Sequence, residues 1–169
     1  GAGKMVMSSV SSADELQRLS DVTGLSAENL QVMKYQGSAL GVELDTMTGA
    51  QAKLTKTMDA ARSTQVKWRA GIEDQVKAGK ISKAQSEEMI ETGAGLETSY
   101  SKLGVRIMDV DGSLRSSNDV FNESITKLGE IENPTERDAL AMQIFGKSAM
   151  QLNPLIKAGG TELKNMSDE

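Results

Sequence analysis

The stretch of sequence that decides the fold covers residues 40–75 and reads LGVELDTMTGAQAKLTKTMDAARSTQVKWRAGIEDQ. Apolar residues and glutamines recur in it at alternating spacings of three and four, as on one face of a long α-helix. These positions are Leu40, Leu44, Met47, Gln51, Leu54, Met58, Ala61, Gln65, Trp68, Ile72 and Gln75. The spacing favours an amphipathic helix packed on its own neighbours, and a seam between copies of the chain is the alternative.

Trp68 stands in this stripe and fits both interpretations equally well. A large aromatic side chain can anchor an interface with another molecule, or it can fill the core of a helical hairpin. The glutamines of the stripe, together with Gly49 and Gly71, weaken a strict coiled-coil register.

A long antiparallel helical hairpin is predicted over about residues 42–102. Ser82 and Gln85 form a capping box, in which each side chain satisfies a backbone N–H at the start of the returning helix. That returning arm is expected to reach the end of the range, with a kink or break at Gly93 and Gly95, because glycine weakens a helix.

Capping residues predict further helix boundaries on both sides of the hairpin. Gly24 stops one helix, Ser26 caps the next, and Gly37 is expected to loosen or end it. The strongest boundary is the tetrapeptide at residues 133–136, NPTE, which combines an N-cap with proline and glutamate in the first turn. The helix that it opens should stop at Gly146.

One small β-hairpin is predicted, at about residues 105–115. Val105 and Ile107 alternate with Arg106 and Met108, and Asp111-Gly112 supplies the residues that a tight hairpin turn favours. Because an isolated pair of strands is marginally stable, this hairpin should lean on a helix. The expected fold class is therefore mainly α, a multi-helix and elongated module with one β-hairpin.

The composition excludes several classes of function. The 169 residues include no cysteine and no histidine, and 19 Lys plus Arg stand against 24 Asp plus Glu for a formal charge of −5. Disulfides, Cys or His metal sites and His-dependent catalysis are excluded. The acidic balance argues against nucleic acid as a partner, and no stretch is apolar enough for a transmembrane helix.

Two acidic groups resemble functional sites but lack the required spacing. Asp109 and Asp111 alternate as in a calcium loop, yet Gly112 is fourth and Val120 twelfth where an EF-hand needs glycine sixth and glutamate twelfth. A turn is the expected role of this segment.

The second acidic group is Glu87, Glu88 and Glu91, which fall on one predicted helix. Such a cluster lacks the opposing wall that a glycosidase needs, so a solvated acidic face is expected. Neither the Gly93-Ala94-Gly95 segment nor Lys147-Ser148 has the remaining glycines of a phosphate loop. We predict no catalytic, cofactor-binding or metal-binding residues.

Two blocks of the sequence resemble the core of bacteriophage tail tape measure proteins, including prophage copies. They cover residues 23–62 and residues 103–160, which is more than half of the chain. The second block reads LGVRIMDVDGSLRSSNDVFNESITKLGEIENPTERDALAMQIFGKSAMQLNPLIKAGG. It contains, in order, the family's D-x-x-G-x-L, I-x-N-P-x-E-R-x-A-L-A-x-x-I-F-G-K-S-A and L-x-P-L-I elements.

The resemblance divides the chain into parts. Residues 1–62 form the N-terminal helical part of the core, and residues 102–160 form its C-terminal part with the β-hairpin. Residues 63–101 depart from the family pattern, which has a short Gly- and Ala-rich connection there, and are interpreted as an inserted helical hairpin. Residues 161–169 begin a further, truncated segment. Because the chain starts Gly-Ala-Gly without an initiator Met, we expect it to be part of something longer.

The resemblance implies a structural protein of the phage tail. Tape measure proteins occupy the lumen of the tail tube in several copies, set the tail length, template tube assembly and are not enzymes in this part. The implied partners are further copies of the chain, the tail tube protein and tail assembly chaperones. The implied location is the virion tail lumen, after assembly in the cytoplasm of the bacterial host.

The side chains expected to support this structural role act by packing and not as a reactive site. They are Leu44, Leu54, Met58, Trp68 and Ile72 of the stripe, with Phe121, Leu140 and Phe145 of the later helices. Two alternatives are a muramidase-type module of a tail protein, which would use Asp or Glu alone, and a generic bacterial helical adaptor.

Overall fold

A computed structural model describes residues 14–109 and 111–159 of the chain. These residues are mainly helical, which confirms the mainly α character predicted from the sequence. The helices in chain order are α1 (14–23), α2 (Ala27–Leu40), α3 (Leu44–Lys77), α4 (Lys83–Thr92), α5 (Ser99–Leu103), α6 (Ser117–Glu130), α7 (Pro134–Phe145), a 3-10 helix (Gly146–Leu152) and α8 (153–159). The predicted segment 161–169 lies outside the described residues.

Helix α3 is the central element of the fold. Its 34 residues give a length of about 51 Å at 1.5 Å per residue. Its stripe residues Met47, Leu54 and Met58 are buried in the core, on which α6, α7 and the 3-10 helix also pack. The chain returns along α3 in the opposite direction, since Thr46 Oγ1 lies 3.2 Å from Gln151 Oε1 and Thr57 Oγ1 donates to the Ile144 carbonyl at 3.1 Å.

The predicted helix caps are confirmed by the hydrogen bonds at three helix starts. The Ser26 hydroxyl accepts from the Asn29 N–H at 3.1 Å. Ser82 and Gln85 form the reciprocal capping box, with hydrogen bonds of 2.8 and 3.1 Å. Asn133 Oδ1 accepts from the second and third backbone N–H groups of α7 at 2.9 and 3.2 Å. Short polar side chains at these positions satisfy donors that a helix start leaves unpaired.

The prediction that Gly37 ends or loosens its helix is wrong. Helix α2 continues through Gly37 to Leu40 and ends at Gly41, whose φ of 79° is left-handed. Gly37 is buried because the chain folds back over it, and the Val42 N–H donates to its carbonyl at 2.7 Å. A Cβ at Gly37 would overlap the Val42 carbonyl oxygen and stand 2.9 Å from Met47 Sδ. Glycine is needed here for close approach and not for a helix stop.

The β-hairpin predicted for residues 105–115 is not formed by the described residues, which hold a single antiparallel bridge between Met108 and Leu114. Two backbone hydrogen bonds of 2.8 Å flank the bridge. Side chains hold the segment in place of a ladder, since Arg115 donates to the Arg106 carbonyl at 2.6 Å and pairs with Glu123 at 2.8 Å. The buried side chain of Val105 also anchors this segment to the core.

The returning arm of the predicted helical hairpin is shorter than expected. Helix α4 packs on α3 but ends at Gly93, where φ is 75°. The chain then loops through Gly95 and starts α5 at Ser99, with Thr98 as its N-cap. The break at Gly93 and Gly95 follows the sequence prediction, and it turns one long arm into two short helices.

Gln51 is a polar residue in the middle of the core. It is fully buried, and neither atom of its side-chain amide has a hydrogen-bond partner among the described residues. An unpaired buried polar group costs about 1 to 3 kcal/mol. The stripe position that the sequence fills with glutamine is therefore a source of instability in this packing.

The variant Gln51→Met is expected to raise the free energy of unfolding by about 1 to 2 kcal/mol, because methionine has a similar length and no unpaired polar atom. Urea denaturation followed by circular dichroism measures the change. The half-exposed stripe residue Gln65 gives the matched control, and Gln65→Met should change stability by less than about 0.5 kcal/mol. A loss of stability in Gln51→Met would contradict this description of the core.

Candidate functional site

A groove of about 700 Å³ lies between α3, α4 and the segment that follows α5. Its volume is in the range of binding pockets in proteins. The side chains on its walls include Trp68 and Arg69 from α3, Glu87, Ile90 and Glu91 from α4, and Arg106, Met108 and Asp109 from the segment after α5. Three parts of the chain that are distant in sequence thus build one surface.

Trp68 forms part of this groove and is half-buried. Its indole N–H donates to the Ala94 carbonyl at 2.9 Å and so fixes the loop after α4 onto α3. Gly95 passes close to the ring, and a Cβ there would lie 3.7 Å from the indole nitrogen. Trp68 therefore links α3 to the loop after α4, and the exposed part of its side chain lines the groove.

The groove carries charges of both signs. Arg69 lies on α3, and Glu87 and Glu91 lie one turn apart on α4. Arg106 donates from its guanidinium to the Glu91 backbone carbonyl at 3.4 Å. Ion pairs among the described residues include Asp59 with Arg62, Arg115 with Glu123, Lys127 with Glu130 and Arg137 with Asp138. None of these pairs joins two charged side chains of the groove.

The acidic cluster of α4 is a solvated face in this structure. Glu87, Glu88 and Glu91 are exposed, as is Asp109 on the opposite wall of the groove. Hydrolysis of a glycosidic bond needs two carboxyls facing each other, with apolar surroundings that keep one of them protonated. The exposed carboxyls of this groove lack such surroundings.

Residues 111–113 lie in a turn held by its own side chains. Asp111 Oδ1 accepts from the Ser113 N–H at 2.9 Å and from the Ser113 hydroxyl at 2.6 Å. These hydrogen bonds, the side-chain one first, lower the pKa of the Asp111 carboxyl. Among the described residues, no three acidic side chains come together in a way that could hold a metal ion.

A second cavity of about 370 Å³ lies beside α5 and is lined mostly by hydroxyl groups and charged side chains. At its inner end the Tyr100 hydroxyl lies 2.7 Å from Thr57 Oγ1 and 3.2 Å from the Leu54 carbonyl oxygen. Thr57 in turn reaches the Ile144 carbonyl of α7. These two hydroxyls therefore link α3, α5 and α7, and their hydrogen bonds have a structural role.

Burial raises the pKa of Tyr100 to about 12, and the hydrogen bond with Thr57 partly offsets this effect. Because the pKa is higher in the folded than in the unfolded chain, the neutral hydroxyl of Tyr100 makes its full contribution to stability below pH 10. Stability should fall between about pH 10 and pH 12, by about 3 kcal/mol in total.

Urea denaturation from pH 8 to pH 12 measures this loss. Tyr100→Phe is the control, since it removes the titrating group and should flatten this part of the pH dependence, at a cost of about 1 kcal/mol at neutral pH. An equal slope in both proteins would contradict the buried position of the hydroxyl. Absorbance of ionised tyrosine, compared between the two proteins, reports the group directly.

The sequence analysis singled out Trp68, the α4 glutamates and Asp109, but it did not bring them together in one groove. Arg69 of α3 and Arg106 of the segment after α5 become neighbours only when the chain folds, and no spacing in the sequence relates them. Lys147 and Ser148 lie in the 3-10 helix, where the Ser148 hydroxyl is 3.7 Å from the position of a Cβ at Gly49. Ser148 thus lies against α3, whereas Lys147 is exposed.

Comparisons with protein-family models, with curated proteins and with solved structures found no match to this chain. Within the described residues, no helix has the length and apolar character needed to cross a membrane.

Proposed function

We propose that this chain is a structural module of a phage tail, a part of the tape measure protein that sets tail length and templates assembly of the tail tube. In this proposal it acts without catalysis, through packing and self-association. The tail tube protein and tail assembly chaperones are its partners, and the virion tail lumen is its location after assembly in the host cytoplasm.

The observation that supports this proposal best is the structural role of the residues that carry the family resemblance. The tetrapeptide at 133–136 caps α7, and Pro134 occupies its first position. Most apolar members of the two C-terminal elements are buried, whereas Ile131 is half-buried and Ala139 is exposed. The buried ones are Leu140, Ala141, Ile144, Phe145, Ala149, Leu152, Leu155 and Ile156. The motif thus specifies how helices start and pack, as expected of a scaffold and not of a reactive centre.

The surface chemistry agrees with this proposal. The net charge of −5 disfavours binding along a DNA backbone, which suits a protein that lies in the tube before DNA passes through it. Exposed carboxylates on α4 provide no apolar pocket for a general acid. Helices also convert residues into length in a fixed proportion, about 1.5 Å per residue, as a ruler requires.

Quantitative mass spectrometry of purified virions tests the proposal. Particles are induced from the strain that encodes the chain, and tails are separated from heads. Peptides of this chain are expected in the tail fraction at several copies per particle. Their absence from purified tails would overturn the proposal, and turbidity loss of peptidoglycan with the purified chain would favour the muramidase alternative instead.

A further inference from the structure

We propose that two copies of this chain pair through the distal hairpin, defined as residues 65–77 of α3 together with α4, to form an antiparallel four-helix bundle. This inference deepens the self-association in the proposed function by naming the surface and the partner, a second copy of the chain. It rests on that function for its biological role but not for its physical argument.

The first observation is that the distal hairpin has little core of its own. The main core takes side chains of α3 from Met47 to Ala61, whereas Ile72 is buried outside that core. On α4 itself, Ser86 alone is buried among its ten residues, and its side chain is polar. Two short helices bury too little apolar surface to be stable by themselves, and four-helix bundles are a common way for helical hairpins to complete a core.

The second observation is that the stripe of α3 continues along the distal hairpin with unchanged spacing. Gln65, Trp68, Ile72 and Gln75 follow the alternation of four and three that buries Met47 to Ala61 in the main core. Yet Gln65 and Trp68 are half-buried and Gln75 is exposed. Residues with this spacing form the seam of packed antiparallel helices, and here the seam is covered on one side only.

The third observation is the charge pattern, which selects a second copy as the occupant. The basic Arg69 flanks the seam on α3, and the acidic Glu87 and Glu91 flank it on α4. If α3 of one copy lies against α4 of the other, each Arg69 meets glutamates of the second copy. A two-fold axis then makes every such pairing twice, so the surface is complementary to itself.

The size of the surface predicts a weak dimer. The ten residues of α4 limit the contact to about 15 Å along the helices. A contact of this length buries less surface than the roughly 800 Å² per partner of a standard interface. We expect dissociation constants of about 10 to 100 µM for the isolated chain. Copies held together in one tail would experience a much higher effective concentration, and the same contact would then be occupied.

Sedimentation velocity over a range of about 10 µM to 1 mM tests the inference with charge-reversal variants. Arg69→Glu should weaken dimerisation at least about tenfold, because it places like charges against Glu87 and Glu91. The double variant Glu87→Arg with Glu91→Arg should weaken it to a similar extent. An equimolar mixture of the two variant proteins should recover dimers, since the opposite charges then meet across the interface.

The control is Lys67→Glu, which makes the same charge change on the same helix at an exposed residue that does not line the groove. It should leave the dissociation constant within about twofold. Circular dichroism of each variant verifies that the helices are retained.

A chain that stays monomeric throughout this range would overturn the inference. Dimers that respond equally to Arg69→Glu and Lys67→Glu, or variants whose mixture fails to recover dimers, would overturn it as well. None of these results bears on whether the chain is present in tails. Conversely, absence from tails with an intact charge-dependent dimer would remove the proposed function and leave the pairing as a property of the chain.

Discussion

Replacing Phe121 with alanine is expected to lower the free energy of unfolding by about 3 to 5 kcal/mol, the largest effect of any single substitution considered. Phe121 on α6 and Phe145 at the end of α7 are buried, with ring centroids 5.4 Å apart and an edge-to-face angle of 66°. Aromatic residues make up only 3% of the whole chain, including these two phenylalanines. No other aromatic ring can therefore replace the packing that is lost with Phe121.

Urea denaturation followed by circular dichroism measures this effect. Met142→Ala on α7 is the matched control, because Met142 is 52% exposed and its truncation should cost less than about 0.5 kcal/mol. If Phe121→Ala cost less than about 1 kcal/mol, the pairing of α6 with α7 would not be a main source of stability.

Gly37→Ala is expected to destabilise the fold by about 2 to 3 kcal/mol, even though alanine is the better helix former. The added methyl group would overlap the Val42 carbonyl and crowd Met47, so the turn between α2 and α3 would have to move. The cost of this movement exceeds the gain in helix propensity.

Gly71→Ala on α3 provides the opposite expectation. No described atom outside its own helix lies within 4 Å of a Cβ at Gly71, so the substitution should raise stability by about 0.5 to 1 kcal/mol. Thermal unfolding of both variants against the parent chain gives the two signs in one experiment. Equal effects of both substitutions would contradict the close approach at Gly37.

The helix boundaries could be predicted because the signals that set them are local. Ser26, Ser82 and Asn133 cap helices by hydrogen bonds to N–H groups two or three residues later, and such contacts depend only on nearby sequence. Gly93 and Gly146 ended helices as predicted because a left-handed φ favours glycine wherever the chain goes next.

The errors concern residues whose role is decided by distant parts of the chain. Gly37 has the sequence context of a helix stop, but its backbone is covered by the turn at Val42 and by Met47. Alternation at residues 105–108 has the period of a strand, yet burial of Val105 and the contacts of Arg115 hold that segment with one bridge. Tertiary contacts override local preference in both cases.

The groove could not be predicted because no local signal relates its three walls. The place of Trp68 in the stripe marked it in the sequence as either core or interface. The structure gives it a hydrogen bond to the loop after α4 and a surface on the groove. The domain boundaries at residues 62 and 102 stay predictions, although α3 runs through the first of them without interruption.

The central claim is that this chain serves a tail by its length and packing. In-frame deletions of helical sequence from the gene that encodes it test this claim when tail lengths are measured by electron microscopy. The account predicts tails that shorten by about 1.5 Å for each helical residue removed. Tails of unchanged length, in particles that still contain the shortened protein, would contradict it.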